Sequence, residues 1–220
     1  MTSIERVSHS PYVCIIESPS GEDVSEDRSE GEALSLALKL GDVQHTYYSV
    51  ANLETLKPCF AKMADDTAIT IKDGIPHFPM LYIHFSAHGN DEGIGLTDGD
   101  FVAWSALGDL LIQFAERADR IFPEVPACIQ TICFSVCEGL NGAKMTVGRP
   151  ICPFYGLIGP PHPVYWSDSL TAFVAFYHNV CHKGSLIVEG VTRMNAAIGE
   201  DLFIPVVCSQ FGYDDSFFEK

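Results

Sequence analysis

Basic residues are scarce: 13 Lys and Arg stand against 29 Asp and Glu, a formal net charge of −16 over 220 residues. A chain this acidic repels a phosphate backbone instead of releasing counterions from it, which argues against a nucleic-acid partner. No uncharged apolar run reaches the roughly 18 residues that a membrane span requires. The first residues carry no basic segment ahead of a long apolar one and soon meet an acidic stretch, so no secretory leader is expected. The expectation is a cytoplasmic chain with neither membrane nor nucleic acid among its partners. Proline and glycine, at 13 and 18, are too few for a collagen-like or low-complexity chain, and 47% hydrophobic residues suffice for a core. The length suits a single domain, residues 1–220.

Cysteine is plentiful by contrast. Of the eight, Cys14, Cys59, Cys128, Cys133, Cys181 and Cys208 fall inside apolar or helical runs, where a thiol behaves as a small hydrophobe. They are expected to be reduced, as in a cytosolic protein. Cys137 and Cys152 lie at the ends of apolar runs.

Strand-like and helix-like segments alternate. YVCIIES (12–18) reads as a buried strand. The segment after it, 17–32, carries seven acids and the single base Arg28, and reads as an acidic surface loop or partly disordered stretch. A helix is predicted over 29–40 with Gly41 as its stop, a strand over 43–50, and a helix over 52–64 capped by Asn52, with Pro58 warning of a kink or early end. PMLYIHFSAHG (79–89) reads as a buried parallel strand. A small hairpin follows with its turn at Asp98-Gly99, then a helix from Trp104 to about 120. Strands are predicted at 127–139, 152–160 and 204–210, with two helices between the last two that are separated by Gly184. The pattern predicts an α/β sandwich around a largely parallel sheet.

Open α/β sheets bind ligands beyond the carboxyl ends of their strands. Two predicted strands end in reactive residues: HFSAHG delivers His88 and CFSVCEG delivers Cys137. On neighbouring strands, about 5 Å apart, the imidazole and thiol would emerge on one rim, as a thiol nucleophile with a general acid/base requires. Gly89 and Gly139 let the backbone approach a ligand and leave N–H groups free for an oxyanion. A zinc site from His84, His88, Cys133 and Cys137 is disfavoured, because residues four apart on a strand lie about 13 Å from each other. His84 reads instead as a buried imidazole bonded to a neighbouring element. Neither Ser86 nor Ser135 lies in GxSxG, which counts against a serine hydrolase.

LYIHFSAHGNDEGIGL followed by SVCEG resembles the caspase-like cysteine peptidases, and most of all their CHAT branch, to which separase-type peptidases are related. His88-Gly89 matches the first motif and Ser135-Val136-Cys137-Glu138 the second, and residues 169–199 are similar to the helices that follow in the family. The resemblance spans about 12 to 210. It implies an α/β, caspase-like three-layer sandwich with a central, largely parallel sheet flanked by helices. It implies Cys137 as nucleophile, His88 as acid and base, and the N–H groups of Gly89 and Cys137 as oxyanion hole, with no cofactor. Glu22, Asp23, Ser135 and Glu138 are the expected substrate contacts, although Ser135 replaces the aspartate that basic-specific forms often carry. No acid is assigned to orient His88, since a carbonyl often suffices in relatives. If the first strand neighbours the His88 strand, the acids of 17–32 would draw a basic residue to the scissile bond. The implied partners are a protein substrate and an activating protein or sensor, by analogy with prokaryotic defence systems. The rival expectation is a non-catalytic interaction module of the same fold.

Overall fold

The structure is a computed structural model that describes residues 11–72, 80–121 and 130–208. A six-stranded sheet runs in the order β2-β1-β3-β6-β7-β8, built from β1 (Pro11–Ser18), β2 (His45–Ser49), β3 (Met80–Ala87), β6 (Thr131–Ser135), β7 (Gly156–Gly159) and β8 (Ile204–Val207). All neighbours pair in parallel except β8, which runs antiparallel to β7. β4 (Gly93–Gly95) and β5 (Phe101–Ala103) form the separate hairpin. Its turn is where expected: Gly99 takes φ 97°, a conformation other residues resist.

The three central strands are apolar on both faces, because each face is covered by helices. Alternation divides the core in two. Cys14, Ile16, Ile83, Phe85, Ile132 and Phe134 pack against α3 (Leu53–Lys72) and α4 (Trp104–Ile121). Val13, Ile15, Tyr82, Cys133 and Ile158 pack against α2 (Glu30–Leu40), α5 (Trp166–Tyr177) and α6 (Ile187–Ile198). The result is the expected three-layer sandwich. In α4 the stripe Trp104, Leu107, Leu111 and Phe114 follows helical spacing and is buried throughout.

Several elements differ from the sequence expectation. α3 does not end at 64 but continues through Pro58 to Lys72. Proline near the helix start forfeits one early backbone bond, and the buried Cys59, Phe60 and Met63 that follow hold the helix to the sheet. Asn52 caps it as expected, its side chain accepting from the Thr55 N–H at 3.0 Å. The predicted helix over 168–184 is α5 followed by a π-helical turn, His178–His182. The predicted strand at 127–139 overlaps residues outside the described set and is a strand over Thr131–Ser135; three residues on, Glu138 turns left-handed at φ 57°.

The larger correction concerns the acidic segment. Residues 17–32 are not a loop: Gly21–Ser25 form α1, Glu30 starts α2, and Glu17, Asp23 and Glu30 are buried. Glu17 accepts from Ser29 Oγ at 2.6 Å, Tyr47 Oη at 2.6 Å and the Gly31 N–H at 2.8 Å. A carboxylate with such donors tolerates removal from water.

The expectation that Cys208 is a reduced thiol is corrected as well, since Cys152 and Cys208 form a disulfide with Cα atoms 6.6 Å apart. The bond ties the segment before β7 to the end of β8. Crosslinking positions 56 apart in sequence restricts the unfolded chain strongly. Cys152→Ser is therefore expected to lower stability by about 2–4 kcal/mol. Urea unfolding of wild type and variant, each with and without reductant, checks this. Reductant should destabilise only the wild type, and equal sensitivity of the two would count against the bond.

Candidate active site

β3 and β6 are parallel neighbours whose register pairs Phe85 with Phe134 and Ser86 with Ser135. His88 and Cys137 each follow two residues after that last pair, on the face that carries Glu17, His84 and Cys133. The two strand ends touch. A Cβ added to Gly89 would lie 2.4 Å from Val136 Cγ1 and 3.4 Å from the Cys137 carbonyl oxygen, so only glycine permits this approach.

The ladder stops at Ser86 and Ser135, and the amides beyond it are released. Gly89 pairs with Ile94 through bonds made by its neighbours, Asn90 N–H to Gly93 O and Gly95 N–H to His88 O. Past Cys137, the Glu138 N–H donates to His162 O and the Gly139 N–H to Val136 O. Among the described residues, no backbone acceptor takes the N–H of Gly89 or of Cys137. The Cys137 thiol lies 3.7 Å from Val164 O. The loop after His88 is braced by Lys144 Nζ and Trp104 Nε1, which both donate to Asp91 O, at 2.6 and 3.1 Å.

The other thiols of the described residues that lie outside the disulfide are poor nucleophiles. Cys14 is fully buried, and burial pushes Cys59, Cys133 and Cys181 up to about 12. At neutral pH such thiols are ionised in about one molecule in 10⁵. Cys137 is only partly buried.

His88 is half exposed and held on two sides. Its Nε2 lies 2.6 Å from Asp23 Oδ2, and the ring meets Trp166 edge to face with centroids 5.4 Å apart. Asp23 comes from α1, where it closes a capping box: its N–H donates to Ser20 Oγ at 3.1 Å and its Oδ2 accepts the Ser20 N–H at 3.1 Å. The Ser20 hydroxyl donates to the same oxygen at 2.6 Å, and Arg28 Nη2 lies 3.1 Å from Oδ1. Burial alone would raise the Asp23 carboxyl, but the Ser20 and His88 hydrogen bonds outweigh it and bring it from 3.8 down to about 2.

That depression links stability to acid. The folded value lies below the unfolded one, so the contribution is complete above about pH 5 and is lost as pH falls through about 2. It amounts to about 2 kcal/mol. The stability difference between pH 6 and pH 2 should therefore be smaller by about that amount in Asp23→Asn than in the wild type. Denaturant titrations at both pH values measure it, and identical acid sensitivity of the two proteins would contradict it.

The expected substrate contacts are placed as follows. Glu22 projects into solvent, 4.0 Å from Arg28. Asp23 is not a free groove acid, since its carboxylate is engaged by Ser20, His88 and Arg28. Ser135 is buried, its hydroxyl bonded to that of Ser169. Glu138 is partly buried and caps the 3-10 helix Gly139–Thr146. β1 does neighbour β3, but the acids of 17–32 do not form a free fringe: Glu17, Asp23 and Glu30 point inward, and Glu26 pairs with Arg28 at 3.0 Å. His84 is the buried imidazole expected, with Nδ1 3.2 Å from Tyr177 Oη and Nε2 3.6 Å from Glu30. The Asp23 contact with His88 departs from the sequence expectation, which assigns no acid to that ring. Its local signal was Ser20-x-x-Asp23, a capping-box pattern that announces an ordered turn inside the acidic run.

A mostly parallel sheet wrapped by helices on both faces is consistent with the caspase-like three-layer sandwich. The chain matches no family model and no curated protein sequence. Among solved structures, the initiator caspase Dronc of Drosophila matches at 9% identity with a TM-score of 0.53, over 92% of this chain and 82% of that chain. The Arg-specific cysteine proteinase gingipain R matches at 11% identity and a TM-score of 0.47, over 88% of this chain and 44% of that chain. The complex of pro- and mature domains of Porphyromonas gingivalis RgpB matches at 9% and 0.46, over 90% and 47%. The chain thus spans less than half the length of the gingipain chains it matches. At these identities the likeness is one of fold.

Proposed function

We propose that this chain is a cysteine endopeptidase of the caspase-like superfamily, resembling its CHAT branch, and that Cys137 and His88 carry the reaction. The Cys137 sulfur, its proton passed to His88, attacks the substrate carbonyl and forms the C–S bond. As the tetrahedral intermediate collapses and the C–N bond breaks, His88 gives its proton to the leaving amine. It then takes a proton from water, whose oxygen displaces the sulfur and releases the acid. The N–H groups of Gly89 and Cys137 hold the oxyanion in both halves. Glu22 and Glu138 remain as outer contacts for the peptide, while Ser135 supports the floor through Ser169. The partners are a protein substrate and an activating protein or sensor in the cytoplasm, a setting such as prokaryotic antiviral defence, and no cofactor takes part.

The observation that carries this reading is the end of the β3–β6 ladder, where His88 and Cys137 leave neighbouring strands and two amides stay unspent. A positional-scanning library of fluorogenic peptides, run on wild type and on Cys137→Ala, tests it. Turnover by the wild type alone supports the reading. A folded wild type that cleaves no member, with or without candidate activators, would favour a non-catalytic interaction module.

A further inference from the structure

We infer that Asp23 is a positioning residue for His88: it fixes the proton on Nε2, so that Nδ1 is the nitrogen that serves Cys137. The inference rests on the peptidase reading for its consequence in turnover, but its structural part stands on the contacts of α1.

An imidazole has two nitrogens, and the one that donates to a carboxylate is settled as N–H. The 2.6 Å contact commits Nε2 to Asp23 Oδ2. The neutral ring then offers a lone pair at Nδ1 alone, so the thiol proton is accepted there and returned from there to the leaving amine. The Trp166 edge restricts the ring from another side.

The acid is itself held in place. Ser20 donates to Asp23 Oδ2 through both its N–H and its hydroxyl, Arg28 approaches Oδ1, and the Arg28 N–H donates to the Asp23 carbonyl at 2.9 Å. These bonds make Ser20–Arg28 a closed turn whose carboxylate cannot rotate away without breaking several of them. Glu22 and Glu26 reach Arg28, whereas Glu17 and Glu30 are engaged by Ser29, Tyr47, Gly31 and His84. Asp23 is the carboxylate that reaches the His88 ring among the described residues.

The test combines a readout of the ring with one of turnover. Long-range ¹H–¹⁵N spectra of histidine-labelled wild type should show neutral His88 as the Nε2–H tautomer, and Asp23→Asn should give a mixed or reversed tautomer. In the same variant kcat should fall roughly 10²- to 10⁴-fold while KM stays within about threefold. Asp23→Glu should restore both readouts in part. Arg28→Gln should keep the tautomer. A wild-type spectrum of the Nδ1–H form overturns the inference without any variant, and so does an Asp23→Asn protein with unchanged tautomer and unchanged kcat. If the tautomer responds to Asp23 but the wild type cleaves no peptide, the positioning stands and the peptidase reading is what fails.

Discussion

Cys137→Ala is expected to reduce peptide cleavage to background while leaving the melting temperature within about 2 °C of wild type. The sulfur belongs to a partly buried residue beyond the end of β6, so its removal opens no core cavity. The chemical loss is expected to be total because, among the described residues, the other thiols outside the disulfide are poor substitutes: Cys59, Cys133 and Cys181 are held protonated by burial and Cys14 is enclosed in the core. Circular dichroism melts and steady-state assays on the same preparation measure both halves. Substantial residual turnover, or its loss in Cys133→Ala instead, would reassign the nucleophile.

Phe134→Ala should do the opposite, destabilising the sheet that carries the site. Phe134 is fully buried on β6, stacked on Phe85 at 5.4 Å and edge-on to Trp104 at 5.2 Å between centroids. The 3-10 helix after Cys137 also closes on this side chain, since a Cβ at Gly142 would lie 2.5 Å from Phe134 Cε2 and one at Gly139 2.6 Å from Phe134 Cβ. Removing the ring leaves a cavity that this rigid surround cannot fill, at about 3–5 kcal/mol. For a domain of this size the melting temperature should fall by roughly 6–20 °C. A drop of under about 2 °C would show that the layer between sheet and α4 is not packed as described.

The parts of this molecule that obey local rules were legible in its sequence. β1, β3 and β6 declared themselves as short apolar runs, because strands covered on both faces need apolar residues at every position. Alternation with helices announced the layered sandwich, and the strand ends pointed to the rim residues, but which strands lie side by side is a tertiary fact that local pattern does not carry. The acidic segment misled because its partners are remote. Asp23 finds His88 65 positions away and Glu17 finds Tyr47 30 away, so in sequence both look like solvated charge. Only Ser20-x-x-Asp23 hinted at order there. The Cys152–Cys208 bond was hidden for the same reason, since each cysteine sits beside apolar neighbours that read as ordinary packing. The run of α3 past Pro58 depends on Phe60 and Met63 docking to the sheet, a tertiary contact that overrides the local cost of proline.

The most direct test of the Cys137–His88 pair is covalent capture by a peptidyl acyloxymethyl ketone, followed by mass-spectrometric mapping. The expected result is one adduct per chain, on Cys137, formed much more slowly in His88→Ala. Adducts spread over several cysteines, or an adduct on Cys137 that forms at the same rate without His88, would contradict the pair.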